Sequence, residues 1–96
     1  MKRQNTQPLG EAIRLYLKAM GVEQKLNEIS IIKKWEEIIG TAVANKTDKI
    51  FINNKILYIK TESSIVKEEL MMLKGGIIKK FNDLAKNEIV TKMVVY

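Results

Sequence analysis

The segment Trp35–Thr47, WEEIIGTAVANKT, contains the strongest helical pattern in the chain. Its apolar side chains recur at the three- and four-residue spacing of one helix face: Trp35, Ile38, Ile39, Ala42 and Val43. The pattern predicts a helix over about residues 31–45, capped by Ser30, with the single tryptophan as the anchor of the core. Gly40 lowers helix propensity within this segment, which favours a packing reason such as another element crossing close to its backbone.

Composition limits the chemistry available to this chain. Of its 96 residues, 46% are hydrophobic and 29% charged, which is typical of a globular protein of one domain. It contains no cysteine and no histidine, so thiolate and imidazole catalysis and the common zinc sites are excluded. Glu36 and Glu37 would diverge by about 100° around a helix and cannot flank one substrate bond. We therefore expect a protein that is not an enzyme, with no cofactor, metal site or small-molecule substrate.

The amino-terminal sequence resembles neither a signal peptide nor a membrane span. The polar segment Gln4–Pro8 follows Met1-Lys2-Arg3, where a signal peptide needs an apolar core. No apolar run approaches the roughly 18 residues of a spanning helix. We expect a cytoplasmic protein with no membrane partner. Residues 1–7 are polar and basic without periodicity, which predicts a disordered basic arm before a domain over residues 8–96.

The net charge of the chain favours a polyanionic partner. Seventeen Lys and Arg residues against eleven Asp and Glu residues give a net charge of +6, with an isoelectric point of about 9.6. All but two of the seventeen cations are lysines. Lysine attracts phosphate as a point charge and lacks the planar fork with which arginine reads base edges. Binding of nucleic acid would therefore be non-specific.

Residues 48–61 contain the clearest β pattern, on both sides of Asn53-Asn54. This dipeptide can adopt the positive φ of a type I′ turn, which predicts a hairpin pairing Phe51 with Ile56. The register divides the side chains between two faces. The apolar face, which should pack on the helices, holds Ile50, Ile52, Leu57 and Ile59. The other face, which should stay open, holds Lys49, Phe51, Ile56, Tyr58 and Lys60.

This second face of the hairpin combines rings that can stack on bases with cations that attract phosphates. It supplies the first four candidate binding residues for nucleic acid or a partner: Lys49, Phe51, Tyr58 and Lys60. Arg14 and Lys18, four residues apart on the outer face of the first helix, are further candidates. Two alternatives remain open: the apolar side chains of the sheet face form ordinary cross-strand pairs covered by an edge contact or a dimer, and Arg14 and Lys18 only keep their helix hydrated.

The remaining segments complete an α+β pattern. A helix begins at Pro8 and ends before Gly21, and a short helical piece follows with Val22, Leu26 and Ile29 inward. A long helix begins at a Ser64 cap and is interrupted at Gly75-Gly76 by a kink or a close approach to the sheet. Its Met71 and Met72 favour core filling over a partner surface. The segment Ile89–Tyr96 predicts a third strand, with Val90, Lys92, Val94 and Tyr96 outside and Thr91, Met93 and Val95 inside.

Several of these residues, in order along the chain, carry a resemblance: Trp35, Ile38-Ile39-Gly40, Ala42, Thr47, Leu57-Tyr58-Ile59, Ser63-Ser64, Glu69-Leu70 and Leu73. In this pattern, over about residues 9–96, the chain resembles the DciA family, small bacterial proteins associated with loading of the replicative helicase. The resemblance implies a two-layer fold like the KH domain, in the order α-α-β-β-α-β, with helices on one face of a three-stranded sheet. It also implies a helicase partner and affinity for single-stranded or other DNA.

Three functions are compatible with these observations. The first is a DNA-replication accessory protein that contacts the helicase and binds DNA weakly and without sequence specificity. The second is a KH-like RNA-binding protein, although Gly75-Gly76 is not the G-x-x-G loop with which KH domains clamp nucleotides. The third is a protein-interaction module whose basic charge is incidental.

Overall fold

The computed structural model describes the backbone of residues 2–19 and 21–96, and the side chains of residues 10–16, 18, 19 and 21–96. Its elements in chain order are α1 (Lys2–Ala19), α2 (Val22–Ile32), α3 (Trp35–Ile39), α4 (Thr41–Asn45), β1 (Lys49–Asn53), β2 (Ile56–Lys60), α5 (Ser64–Met72), α6 (Lys74–Ala85) and β3 (Lys92–Val95). The predicted α+β class, with helices packed on one face of a three-stranded sheet, is confirmed.

Strand order in the sheet is β1-β2-β3, with β1 antiparallel and β3 parallel to β2. The predicted hairpin turn is wrong by one residue: Asn54 and Lys55 have the positive φ values, 52° and 64°. Phe51 therefore pairs with Tyr58 rather than with Ile56. The predicted register would place Lys55 on the buried face, whereas the observed one leaves it in the turn. The pairing partner of Phe51 thus shifts by two residues along β2. A shift of two keeps every side chain on its predicted face, so the predicted division into two faces is confirmed.

The third strand is shorter than the predicted segment. Met93 is buried, and Lys92 and Val94 are exposed, as their alternation predicts. Val90, predicted to face outward, is 0% exposed, and Thr91, predicted to face inward, is exposed. The reason is Asn82 on α6, whose Oδ1 accepts hydrogen bonds from the amides of Ile89 and Val90 and whose Nδ2 donates to the Val90 carbonyl, each at 2.9 Å. These bonds hold Val90 in the core before the strand begins.

Trp35 anchors the core, as predicted. Its side chain is 5% exposed and packs on Phe81 of α6 at a ring-centroid distance of 6.0 Å. Its Nε1 donates to Thr47 Oγ1 at 3.0 Å, and this hydroxyl donates in turn to the Val43 carbonyl at 3.0 Å. The indole therefore fixes the segment that leads from α4 into β1. Its single polar atom, the buried Nε1, has a hydrogen-bond partner.

The predicted helix over residues 31–45 is divided among α2, α3 and α4. Ser30 lies inside α2 and does not act as a cap. Gly40 separates α3 from α4 with φ 98° and ψ 155°, a backbone conformation that side chains disfavour. No heavy atom lies within 4 Å of the position that a Cβ on Gly40 would occupy. The glycine is therefore explained by its conformation, and the predicted close packing is wrong.

The predicted long helix is also divided, at Leu73 between α5 and α6. Its cap is Ser63 rather than Ser64, because Ser63 Oγ accepts from the Val66 amide at 3.2 Å. Gly75 and Gly76 lie within α6, and no heavy atom approaches within 4 Å of either Cβ position. The predicted break or close approach at these glycines is therefore wrong. The space beside both glycines is open.

Helices α1 and α2 differ from the predicted ones. Helix α1 begins at Lys2, where the sequence predicts a disordered arm over residues 1–7. Val22, Leu26 and Ile29 of α2 are exposed rather than inward. Glu28 and Ile31 are the buried residues of α2 instead. Lys25 links α2 to β1, because it donates to the Ile52 carbonyl at 2.6 Å, and it also donates to Glu28 at 3.3 Å.

Candidate nucleic-acid interface

The exposed side of the sheet carries three rows of side chains that run across the strands. Helices α2, α5 and α6 contact the strands through the opposite, apolar side of the sheet. The middle row pairs Phe51 with Tyr58 and Tyr58 with Val94. The flanking rows are Lys49 with Lys60, and Asn53 with Ile56 and Lys92. We call these residues, with Tyr96, the open face.

Two aromatic rings form the centre of the open face. Phe51 and Tyr58 are half-buried and stack with centroids 4.8 Å apart and ring planes inclined by 13°. Lys49 Nζ lies 5.3 Å from the centroid of the Phe51 ring, within the range of a cation–π contact. The rings are therefore held in one orientation by each other and by Lys49. A ligand that stacks on them would not need to order them first.

Lysines surround this aromatic centre. Lys49 and Lys60 lie opposite each other in the row on one side, and Lys92 lies in the row on the other side. All three are exposed, and within the described part of the chain none of them has a carboxylate oxygen within 4.0 Å. Their charges are therefore available to a polyanion along both sides of the rings.

The four candidates selected on the hairpin come together, whereas Arg14 and Lys18 lie elsewhere. Both are on α1, which packs against α2. Arg14 Nη2 is 2.6 Å from Glu11 Oε2, and this hydrogen bond, with the attraction of the carboxylate, raises the pKa of Arg14. Arg14 is therefore already paired, while Lys18 is exposed on the same helix. The structure does not join these two residues to the open face.

The third strand and the residue after it add three residues to the site that the candidate set lacks: Lys92, Val94 and Tyr96. They enter it because β3 pairs in parallel with β2: the Tyr96 amide donates to the Ile59 carbonyl, and the Thr61 amide donates to the Tyr96 carbonyl, both at 2.9 Å. The alternation of residues 92–96 predicts their outward direction. Their position beside the hairpin follows only from strand pairing, which the sequence does not specify.

Among the residues that the structure describes, neither a cluster of metal-ligating side chains nor a membrane-spanning helix is found. Across residues 2–19 and 21–96 there is no group of three or more acidic side chains able to hold a metal ion. No helix in these ranges is long and apolar enough to cross a membrane. The open face can stack on planar groups and attract phosphates.

Comparison with known proteins identifies one family. The family described as the Dna(CI) antecedent, DciA, matches residues 8–95. A protein of Mycobacterium ulcerans named UPF0232 is 22% identical over 89 residues, which cover 93% of this chain and 48% of that protein. A protein of Mycobacterium marinum with the same name matches at the same identity and coverage. The chain therefore spans about half the length of these relatives.

Proposed function

Because the chain belongs to the DciA family, we propose that it is a DNA-replication accessory protein that contacts the replicative helicase and binds single-stranded DNA on its open face. The family is associated with loading of this helicase. The protein acts by binding, in the cytoplasm, and carries out no reaction of its own. The observation that carries the DNA-binding half is the stacked Phe51–Tyr58 pair with lysines on both sides.

The open face suits a single strand better than a duplex. A single strand exposes its bases, which can stack on the rings while its phosphates run past the lysines. A duplex would offer its phosphates but no base face to stack on the rings, because its bases are stacked internally. Each base stacked on an aromatic side chain typically contributes about 1 to 3 kcal/mol.

Recognition through this face is weak and independent of sequence. The stacked pair offers two rings, and every base has a π-face that fits them. The surrounding cations are lysines, which fix no base identity. The same face would accept single-stranded RNA, so titrations with DNA and RNA of one sequence measure the preference directly.

The test is the double variant Phe51→Ala with Tyr58→Ala, titrated against a fluorescent single-stranded oligonucleotide at low salt. We expect the affinity to fall by a factor corresponding to about 1 to 3 kcal/mol. The matched control is Tyr16→Ala, which removes an exposed aromatic side chain from α1 and leaves the sheet unchanged. The affinity of Tyr16→Ala for the oligonucleotide should equal that of the parent chain.

Circular dichroism and thermal melting of the same proteins separate lost binding from lost folding. A folded double variant that binds like the parent would contradict the assignment of the open face. A selective loss in Tyr16→Ala would move the site to α1, beside Arg14 and Lys18. The helicase half is tested separately, by calorimetric titration of the parent chain with the purified replicative helicase of the same organism.

A further inference from the structure

Helix α5 exposes large apolar side chains that the core does not use. Ile65 is 80% exposed and Met72 79%, while Met71 and Leu73 are each 47% exposed. The prediction that the two methionines fill the core is wrong, because Val66 and Leu70 are the buried positions of α5. Seven residues separate Ile65 from Met72, so both lie on one side of the helix. We call Ile65, Met72 and Leu73 the α5 ridge.

Leu73, at the end of the ridge, lines an apolar cleft of about 280 Å³ between α3 and the junction of α5 with α6. The cleft, which we call the Gly76 cleft, is lined by Ile38, Ile39, Leu73, Gly76, Ile77 and Lys80. Its volume is below the roughly 300 to 1,000 Å³ of small-molecule sites, and it suits one or two protein side chains. Gly76 keeps it open, because nothing lies within 4 Å of its Cβ position.

The cleft has a single cation in its lining. Lys80 is exposed, and among the described residues no carboxylate oxygen lies within 4.0 Å of it. The neighbouring Lys79 is instead paired with Asp83 at 2.9 Å. An apolar cleft with one available ammonium group complements an apolar side chain that has a carboxylate near it.

We propose that the Gly76 cleft is the docking site for one amphipathic helix of the replicative helicase. A large apolar residue of that helix enters the cleft, a neighbouring acidic residue meets Lys80, and a further apolar residue lies on Met72 and Ile65. Helices bind in grooves through apolar residues at such three-, four- and seven-residue spacings. Methionines suit this contact because their flexible side chains adapt to the partner. The inference rests on the proposed contact with the helicase and assigns that contact a place.

Charge favours the helicase over a second copy of the chain. Two copies would each bring a net charge of +6, so their approach is opposed by long-range repulsion. An acidic helix is attracted by the same charge. The cleft also belongs to the helical layer, while the open face lies on the other side of the sheet. The helicase and DNA can therefore bind together.

Two adjacent glycines give a matched test. Gly75 and Gly76 both lie in α6, neither has a positive φ, and nothing within 4 Å would meet a Cβ at either position. Leucine at either position should therefore favour the helix, since leucine is the better helix former. Only Gly76 lines the cleft. Gly76→Leu fills it, whereas Gly75→Leu adds the same side chain beside it.

The experiment measures helicase and oligonucleotide affinity for the parent chain and both variants. We expect Gly76→Leu to weaken helicase binding about tenfold or more, Gly75→Leu to bind like the parent, and neither to change DNA binding. Lys80→Glu should weaken helicase binding as well. Lys67→Glu, the same charge change on the opposite side of α5 from Ile65, serves as its control.

The outcomes separate the two proposals. If the parent binds the helicase and Gly76→Leu binds it equally well, the cleft is not the docking site, while the proposed function stands. If the parent does not bind the helicase, the proposed function and the docking site both fail. Light scattering adds a third outcome: a parent dimer that Gly76→Leu converts to a monomer would assign the cleft to a second copy and overturn the inference.

Discussion

The open face and the Gly76 cleft both expose apolar groups, but in different electrostatic settings. On the open face, the stacked Phe51–Tyr58 pair lies between rows of lysines. In the cleft, the side chains are aliphatic and Lys80 is the only charged group of the lining. The first surface fits a flexible polyanion with planar groups, and the second fits a shaped apolar element of a protein.

This difference has a physical origin in the sheet. Helices cover only one of its sides, so alternate residues of each strand face either the core or the solvent. The helical layer contains a gap at the Gly76 cleft, because α5 and α6 are separate helices that meet at Leu73 and Gly76 has no side chain. A chain of 96 residues thus exposes two unlike surfaces on opposite layers.

The largest expected effect is loss of both surfaces together, and it comes from Trp35→Ala. Trp35 belongs to α3, which lines the cleft, and its hydrogen bond to Thr47 holds the segment before β1. Truncating a buried tryptophan typically costs about 3 to 5 kcal/mol, a large part of the roughly 5 to 15 kcal/mol that stabilises a domain. We expect an unfolded or nearly unfolded protein by circular dichroism and thermal melting.

The opposite result would break the comparison at its base. A Trp35→Ala protein that melts near the parent temperature and has lost only one of the two binding activities would identify Trp35 as a contact residue. The loss of binding would then come from a missing contact of Trp35 and not from unfolding of the core.

The periodicity of the sequence predicts the surfaces better than it predicts their boundaries. The two faces of the hairpin follow from alternation alone, and they are correct although the turn is one residue away from its predicted position. The burial of Trp35 likewise follows from residue type and spacing. Such features need only local geometry and the preference of apolar groups for the core.

Features that depend on distant partners could not be predicted in this way. Val90 is buried because Asn82 binds its backbone, a contact that no local pattern encodes. The exposure of Met71 and Met72 is by contrast a local feature, because they follow Leu70 by about 100° and 200° around α5 and leave the face that Val66 and Leu70 present to the core. The Gly76 cleft needs α3 and α6 side by side. It therefore has no signal in the sequence apart from a glycine within a helix.

The second prediction sharpens the comparison by removing charge from the open face alone. Replacing Lys49, Lys60 and Lys92 by glutamine should make the slope of log affinity against log salt shallower by about 2 for single-stranded DNA, since each phosphate contact contributes about 0.7. Helicase binding should change no more than the lower net charge requires, because these lysines lie on the layer opposite the cleft.

The control variant replaces Lys34, Lys67 and Lys86, three exposed lysines outside the open face, by glutamine. It has the same net charge as the first triple variant, so any difference in slope reports the position of the lysines rather than their number. Equal slopes for the two triple variants would show that only the overall charge matters, and the open face would lose its electrostatic role.

The smallest expected effect concerns the turn that sets the register of the open face. Lys55 has a φ of 64°, which costs a residue with a side chain roughly 1 to 2 kcal/mol, and glycine avoids most of this cost. Lys55→Gly places a glycine directly after Asn54, and Asn-Gly is the dipeptide preferred in type I′ turns. The substitution also removes the contact at 4.0 Å between the Lys55 ammonium and the Glu88 carboxylate. Both groups are exposed, so this contact contributes little to stability. We expect stabilisation by about 0.5 to 1 kcal/mol, or an increase of roughly 2 to 8 °C in melting temperature.

Asn53→Gly is the informative counterpart, because Asn53 pairs with Ile56 at the end of β1 and has no positive φ. Glycine there should lower the melting temperature, since it weakens a paired strand position. If Asn53→Gly stabilises the protein and Lys55→Gly destabilises it, the turn is at Asn53-Asn54. Phe51 would then face Ile56 across the strands. The two faces would keep their residues in that case, but the stacked pair at the centre of the open face would not exist, and the stacking contribution to DNA binding would be lost with it.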